Sequence, residues 1–464
     1  MEPLRSLADQ GAMIERLTSD SRRCAPGVAF LAYPGEKADG RAHIGDAIAR
    51  GAAAVLWEER GFAWPREWRL PNLPVRGLKH QAGALAHQLY GRPSESLWVC
   101  GVTGTNGKTS CSQWISALLN LRGTRTAVIG TLGSGFPGAL SAGVNTTPDA
   151  LDLHALLKQF LENGARAVAM EVSSHGLVQG RVNGVRFACA LFTNLSHDHL
   201  DYHGSMAAYA EAKARLFDAP GLETAVLNLD DALGVELARR LAGRVRTIGY
   251  SLAPRAARVD EAITPTEQMH IPALGRFNVS NALGVLGCLV ANGIALEQGA
   301  RLLAELPPVA GRMQALGEEP LVVIDYAHTP DALEKVLEAL RPVAAARGGR
   351  LAVVFGAGGD RDPAKRPLMG AIAARLADRV LITSDNPRSE NPASIIEAIR
   401  RGAPAGEVEA DRARAIEQMI STSEKRDVVL IAGKGHETYQ EIAGKRTHFS
   451  DEEHARAALA RRAR

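Results

Sequence analysis

The sequence predicts an α/β protein of three domains, and three observations predict it. Residues 97–110, LWVCGVTGTNGKTS, pass from an apolar run into a glycine loop and a Lys-Thr pair that opens a helical pattern. Apolar runs at 165–170 and from 189 each stop at a cluster of acidic, histidine and hydroxyl side chains. From about 313 to 464, runs at 321–325, 350–356, 379–383 and 427–432 alternate with helical patterns, as in a doubly wound, Rossmann-like sheet. A chain of 464 residues has room for two to four domains.

Residues 1–90 read as a small α/β domain, with strands over Val28–Ala32 and Ala52–Leu56 and helices over Ile44–Arg50 and Gln81–Leu89. TSDSR at 18–22 and GEKADGRAH at 35–43 form polar loops around a strand. A net charge of +3 with 23% charged residues gives no electrostatic case for a nucleic-acid partner. Five cysteines without a CxxC pair argue against a disulfide framework or a structural zinc site, and for a reducing cytoplasm. The polar N-terminus and the lack of a span-length apolar run lead us to expect a cytoplasmic monomer with no membrane span.

The middle domain, 91–312, carries most of the chemistry. Leu97–Val102 suits a strand buried on both faces, and Trp114, Ile115, Leu118 and Leu119 recur at helical spacing up to Gly123. Between them Gly104 and Gly107 let the backbone approach a ligand, with Thr105 and Asn106 inside the loop. Free N–H groups at a helix start meet phosphates, Lys108 adds a charge, and the Thr109 hydroxyl can ligate Mg²⁺. Val102 stands where a strict P-loop has its first glycine. NTTPD at 145–149 predicts a helix capped by Thr146 or Thr147, with Pro148 in the first turn. Ala165–Met170 would deliver Glu171 to the carboxyl end of its strand, where a carboxylate beside a phosphate loop is a Mg²⁺ candidate. The cluster His197, Asp198, His199, Asp201, His203 has neither HExxH nor a thiolate pair for zinc. Further on, Tyr209, Leu216 and Phe217 mark an apolar helical face that also holds Lys213. A lysine desolvated there loses its proton readily and can take up CO₂ as a carbamate.

TGTNGKT resembles the ATP loop of the Mur ligase and folylpolyglutamate synthase superfamily. The order GTNGKT, EVSSHGL, DHLDYHG, DYAHTP, DNPR and GKGHE, over nearly the whole chain, resembles the diaminopimelate-adding Mur ligases. DSR, then PGVxF, then GxxxDG resembles their uridine-binding domain. The resemblance implies a uridine-binding domain (1–90), a central P-loop-type ATPase domain (91–312) and a C-terminal Rossmann-like, amino-acid-binding domain (313–464). It implies that Ser19, Ser21, Glu36, Lys37, Ala38, Asn145, Thr146, Thr147, Ser173, Gln179 and Arg181 hold a UDP-muramoyl peptide. It puts Asn278, Asn281, Arg312, Asp325 and His328 with the loop 104–109 around ATP. Two Mg²⁺ ions would sit on Thr109, Glu171, His199 and carbamylated Lys213.

The same resemblance assigns Arg361, Asp385, Asn386, Pro387, Arg388, Gly433 and Glu437 to diaminopimelate. Arginine suits the far carboxylate of that substrate because its planar guanidinium makes two parallel hydrogen bonds. The implied activity is ATP-dependent amide ligation through an acyl phosphate, in peptidoglycan precursor synthesis. Two rival readings are a folylpolyglutamate synthase, which lacks the DSR and DNPR segments, and a non-catalytic nucleotide-binding regulator. The full set Lys108, Glu171, His199 and Lys213 argues against the second.

Overall fold

A computed structural model describes residues 2–36, 38–255, 258–267 and 269–462, and three sheets follow one another along it. The first is parallel, in the order β1 (Arg16–Thr18), β2 (Val28–Ala32), β3 (Ala54–Glu58), β4 (Asn72–Val75). Every residue of β2, VAFLA, is buried, as an apolar run must be when helices cover both faces.

The second sheet is built from β5 (Trp98–Thr103), β6 (Thr126–Gly130), β7 (Gly133–Phe136), β8 (Ala139–Ser141), β9 (Ala167–Glu171), β10 (Cys189–Phe192), β11 (Thr224–Asn228), β12 (Arg246–Tyr250) and β13 (Glu261–Ile263). Its order is β13-β12-β11-β10-β5-β9-β6-β7-β8, parallel except for the β7–β8 hairpin at one edge. Strand β5 is central, so the loop after it opens at the middle of the carboxyl edge. Ile115, Leu118 and Leu119 of the helix Lys108–Leu121 pack on one face with Val102, Leu191 and Leu286. Leu153, Leu157, Met170 and Phe192 fill the other. Each such side chain, fully buried, contributes about 1.5–3 kcal/mol, which fixes the strand ends that carry the polar residues.

Cys100, Cys189 and Cys288 lie within 4.8 Å of one another in that core, sealed among apolar side chains, and pack as small apolar residues.

The third sheet runs β14 (Gln314–Leu316), β15 (Leu321–Asp325), β19 (Val428–Ala432), β16 (Leu351–Phe355), β17 (Arg379–Ile382), β18 (Glu407–Val408), with only β14 antiparallel. A hairpin of β20 (Tyr439–Ile442) and β21 (Lys445–His448) closes over its edge. Among the described residues, no helix is long and apolar enough to cross a membrane.

Two local expectations are corrected. Asp149 caps the helix Ala150–Glu162, accepting from the Leu151 and Asp152 N–H groups, so Thr146 and Thr147 are free for other bonds. Leu216 and Phe217 lie in a 3₁₀ turn after the helix Met206–Ala214, so of the expected stripe Tyr209 and Lys213 are the two within the helix, buried along with Ala212 and Ala214.

Candidate active site

Gly104 follows β5 at φ +151°, where a Cβ would lie 1.8 Å from Thr193 Oγ1; the loop tolerates only glycine there. Asn106 N donates to Asn194 Oδ1 (2.9 Å) and Thr193 Oγ1 donates to Asn106 O (2.6 Å), tying the loop to the end of β10. The first turn of the helix Lys108–Leu121 then opens into a cleft of about 620 Å³. Lys108 Nζ curls back onto the carbonyls of Gly104 (2.8 Å) and Thr105 (2.9 Å). Burial lowers its pKa, Glu171 and Asp198 oppose that shift, and Arg312 adds to it.

Glu171, the last residue of β9, is 1% exposed, and among the described residues it has no ion-pair partner. Its carboxylate accepts from Thr109 Oγ1 (3.0 Å), Thr131 N (2.8 Å) and Thr131 Oγ1 (3.1 Å). A buried anion among hydroxyls, with no cation of its own, is a set of hard oxygen donors that suits Mg²⁺. Thr131 directly follows the end of β6, and sequence reasoning missed it.

The opposite wall comes from Arg312, at the junction between the middle and third domains, and from the third domain itself. Arg312 Nη2 donates to Thr109 Oγ1 (3.0 Å), its guanidinium lies 4.6 Å from the Tyr326 ring centroid, and its buried Nε has no partner. Asp325 accepts from the N–H groups of Met313 and Ala327, both at 2.8 Å, which makes it an anchor for the connecting segment as well as a wall of the cleft. His328 and the two asparagines Asn278 and Asn281 complete the lining; of the expected nucleotide residues only Gly104 lies beneath it. Asn106 Nδ2 reaches across to Asp331 Oδ2 (3.2 Å).

His199 faces the cleft at φ +54°, its side chain 43% exposed. Surrounding protein mass pushes its pKa down to about 4; Asp198 opposes, while Lys108, His175 and Lys213 reinforce. Burial pushes the Asp198 carboxyl up, but His199, His328 and Lys108 outweigh it and hold the group below its ordinary value. Asp198 is therefore an anion lining the cleft; the sequence placed it in the His/Asp cluster but gave it no role. Lys213 does not line the cleft. It lies one layer behind, 1% exposed, with Nζ 4.2 Å from the Tyr209 ring centroid, and Tyr209 Oη meets Thr105 Oγ1 at 3.2 Å. Burial, then Lys108, depress its pKa well below the usual lysine value.

Some of the residues expected to hold the UDP substrate are joined by a run of hydrogen bonds. Tyr202 Oη donates to Glu36 Oε1 and accepts from Gln179 Nε2, both at 3.3 Å. Arg181 Nε donates to Gln179 Oε1 (2.8 Å), and its Nη1 donates to Thr147 O (2.7 Å). Thr147 Oγ1 accepts from Ser173 N, and Thr146 borders the cleft itself. Ser19, Ala38 and Asn145 are exposed, whereas Ser21 is buried at the start of a 3₁₀ turn. Lys37 lies outside the described residues.

At the carboxyl edge of the third sheet, Asp385, Asn386 and Pro387 are buried and Arg388 is half-buried at φ +51°. Arg388 Nη1 donates to Gly359 O (2.6 Å), and Asn386 Nδ2 donates to Glu437 Oε2 (2.8 Å). Gly433 takes φ +119°, and a Cβ there would lie 2.7 Å from Asp385 Oδ2. Arg361 is exposed at the rim. Lys434, which joins these loops from below, escaped the sequence reading.

A glycine phosphate loop, a strand-end carboxylate and a second α/β sheet facing them define a class of nucleotide-dependent enzymes built from two sheet edges. Family models narrow this: Mur ligase family, catalytic domain, matches 13–90; Mur ligase middle domain matches 102–289; and Mur ligase, glutamate ligase domain, matches 311–435. The chain belongs to the Mur ligase family. It is 53% identical over 476 residues to the UDP-N-acetylmuramoyl-L-alanyl-D-glutamate–2,6-diaminopimelate ligase of Pseudomonas aeruginosa, covering 98% of this chain and 96% of that one. The protein of the same name from Nitrosomonas europaea is 47% identical, covering 96% and 93%. A solved structure bearing that ligase name aligns with TM-score 0.68 and 36% identity, covering 97% of this chain and 96% of that chain. A Mycobacterium tuberculosis folylpolyglutamate synthase, at 18% identity and TM-score 0.59, covers 76% of this chain and 92% of its own; it shares the fold.

Proposed function

We propose that this chain is an ATP-dependent ligase that adds meso-2,6-diaminopimelate to UDP-N-acetylmuramoyl-L-alanyl-D-glutamate. The observation that carries the reading is the meeting of two sheet edges. One bears the loop 104–109 and Glu171, and the other bears an Asp-Asn-Pro-Arg turn suited to an amino-acid head group. The relatives named above act on these substrates by name.

In this reading the loop N–H groups and Lys108 hold the ATP phosphates, with Arg312 facing them from the junction with the third domain. Thr109 and Glu171, with His199 and a carbamate on Lys213, would hold two Mg²⁺ ions. Bound there, Mg²⁺ supplies charge neutralisation at the transferring phosphoryl group. The carbamate forms when the neutral Lys213 amine adds to CO₂ and releases a proton, which turns a cation into an oxygen ligand. A D-glutamyl carboxylate oxygen attacks the γ-phosphorus, ADP departs, and the amine of diaminopimelate, having lost its proton, attacks the acyl carbon. Phosphate leaves with the bonding pair, and an amide remains. Glu36, Tyr202, Gln179, Arg181 and Thr147 form the surface on which the UDP end would lie. Arg388 would clamp the far carboxylate of diaminopimelate, with Asp385, Asn386 and Glu437 near its ammonium and Arg361 at the entrance.

The test is a product assay with UDP-N-acetylmuramoyl-L-alanyl-D-glutamate, ATP, Mg²⁺ and a panel of amino acids. Tripeptide formation with diaminopimelate, and ADP release that requires the dipeptide, are expected. Equal ligation of lysine, a folate substrate in place of the dipeptide, or nucleotide binding without turnover would each overturn the reading. Native mass measurement tests the expected monomer, and fractionation tests the cytoplasmic location.

A further inference from the structure

Lys434 is the least accessible lysine of the amino-acid loops, with a side-chain exposure of 0%, yet it faces no solvent route for its charge. A buried ammonium persists only with close partners. It has three. Nζ donates to Asn386 Oδ1 (3.1 Å) and Glu437 Oε2 (3.1 Å), and Asp385 Oδ1 lies at 3.7 Å. Those are the acidic and amide groups of the Asp-Asn-Pro-Arg turn and of the loop after β19, so a single cation joins the two loops. The backbone supports the arrangement: Glu441 N donates to Asn386 Oδ1 (3.0 Å), and Gln440 Nε2 donates to Asp385 O (2.8 Å). The neighbouring buried cation, Arg412, is neutralised in place by Asp451, with both bonds at 2.7 Å, and so adds no net charge to the pocket.

The remaining charges decide what the pocket accepts. Inside the pocket Asp385 and Glu437 supply two negative charges, and Lys434 and Arg388 two positive ones, so its inner charges balance, with Arg361 exposed to water at the entrance. Its charges are also arranged with polarity, because Lys434 lies below the carboxylates while Arg388 stands on the rim side, held to Gly359 O. A neutral pocket with separated poles matches a head group carrying both an ammonium and a carboxylate. It does not match a lone ammonium, which needs a net negative pocket. We infer that Lys434 is a positioning residue that sets this balance, holding Asp385 and Glu437 in register and making the site selective for a zwitterionic amino-acid terminus over a simple amine. The inference rests on the assignment of this loop cluster to diaminopimelate.

The experiment compares diaminopimelate with lysine, which presents only an ammonium at its far end. In Lys434→Met the pocket becomes net negative. The KM for diaminopimelate should rise about tenfold or more while the KM values for ATP and the UDP substrate stay within about threefold, and the ratio of diaminopimelate to lysine use should fall by about tenfold. Adding Glu437→Gln to Lys434→Met restores neutrality and should return that ratio toward the wild-type value. A purely structural lysine predicts instead that the double variant is as poor as the single one or worse, and that result overturns the inference. An unchanged ratio in the single variant overturns it too. If Lys434→Met alone fails to fold, the double variant, which leaves no excess buried carboxylate, carries the comparison against Glu437→Gln. A wild type that does not use diaminopimelate refutes the functional assignment itself and is seen before any variant is made.

Discussion

Replacing Arg388 separates substrate recognition from folding with unusual clarity. The residue sits at φ +51°, a conformation that costs any non-glycine residue about the same, so Arg388→Ala introduces no new backbone strain. Its N–H still donates to Glu441 O (3.0 Å), and its carbonyl still accepts from Ala443 N (2.7 Å). The fold loses one hydrogen bond, from Nη1 to Gly359 O, worth about 1 kcal/mol at a half-buried position. Stability should therefore fall only slightly. Binding loses the guanidinium that would meet a carboxylate, and truncating one partner of such a pair costs about 2–5 kcal/mol. At 1.4 kcal/mol per decade that is about a 30- to 4,000-fold rise in the KM for diaminopimelate. Arg388→Lys keeps the charge but loses the two-pronged geometry, and should fall between wild type and Ala. The assay is ADP release at saturating ATP and UDP substrate with diaminopimelate varied, alongside thermal unfolding. A KM within threefold of wild type in Arg388→Ala, or an equal rise in the KM for ATP, would refute the reasoning.

Glu171→Gln removes the only charge on a carboxylate that accepts three hydrogen bonds, and kcat should drop about 100-fold or more with the fold retained. Retained turnover, or activity that survives EDTA in the wild type, would remove the metal from this position. Lys213→Ala should lose activity on a similar scale and recover part of it with added formate or acetate; full activity without rescue sinks the carbamate assignment. His154 predicts acid sensitivity. It is fully buried, its Nε2 bonds to Asn183 O at 2.9 Å, and burial lowers its pKa to about 4 from 6.5. Between those values the unfolded chain binds the proton and the folded one does not, so stability rises with pH across that window and is lost on acidification. The full effect is roughly 3 kcal/mol, at 1.36 kcal/mol per pKa unit. His154→Gln should unfold with a shallower dependence between pH 6.5 and 4, and identical slopes for the two proteins would refute this.

The parts of the fold that sequence displays best are those in which burial dictates every residue. β2, β5, β9, β15, β16 and β19 are inner strands covered on both faces, so each is an apolar run, broken only at the last residue in β5, β9 and β15, where Thr103, Glu171 and Asp325 stand. Among the strands that escaped, β14 is three residues, β18 two, and β21, KRTH, is exposed at every position, while β6 and β11, buried throughout, were passed over as well. No hydrophobic pattern marks the short and exposed ones, because their pairing partners place them. The site divides in the same way. Lys108, Thr109 and Glu171 are legible because a strand, a loop and a helix follow one another at fixed spacing. Thr131, Asp198 and Lys434 enter through tertiary packing, since each meets a group far along the chain: Glu171 for Thr131, Lys108 for Asp198 and Asn386 for Lys434, at 40, 90 and 48 residues. The misplaced helix cap has a local cause. TTPD offers three capping side chains in succession, and the choice of Asp149 frees Thr147 to bind Glu171 O and Ser173 across the sheet edge.

The Thr109 hydroxyl ties two domains together. Thr109 has one hydroxyl proton, donated to Glu171, and its oxygen accepts from Arg312. The backbone of residue 313 is in turn held by Asp325, and the Arg312 guanidinium lies on Tyr326. A single oxygen therefore links the strand-end carboxylate of the middle domain to the segment that leads into the third. A cation on the second lone pair of Thr109 Oγ1 would crowd the Arg312 guanidinium, and a phosphate taking the hydroxyl proton would compete with Glu171; the unpartnered Nε of Arg312 is already buried. The geometry couples occupancy of the phosphate loop to the position of the third domain, and with it the amino-acid loops at 385–388 and 433–437. On that argument, nucleotide engagement and delivery of the attacking amine are not independent events. They share one hydrogen bond, and Arg312→Lys, which keeps the charge but shortens the reach, is the substitution that would uncouple them.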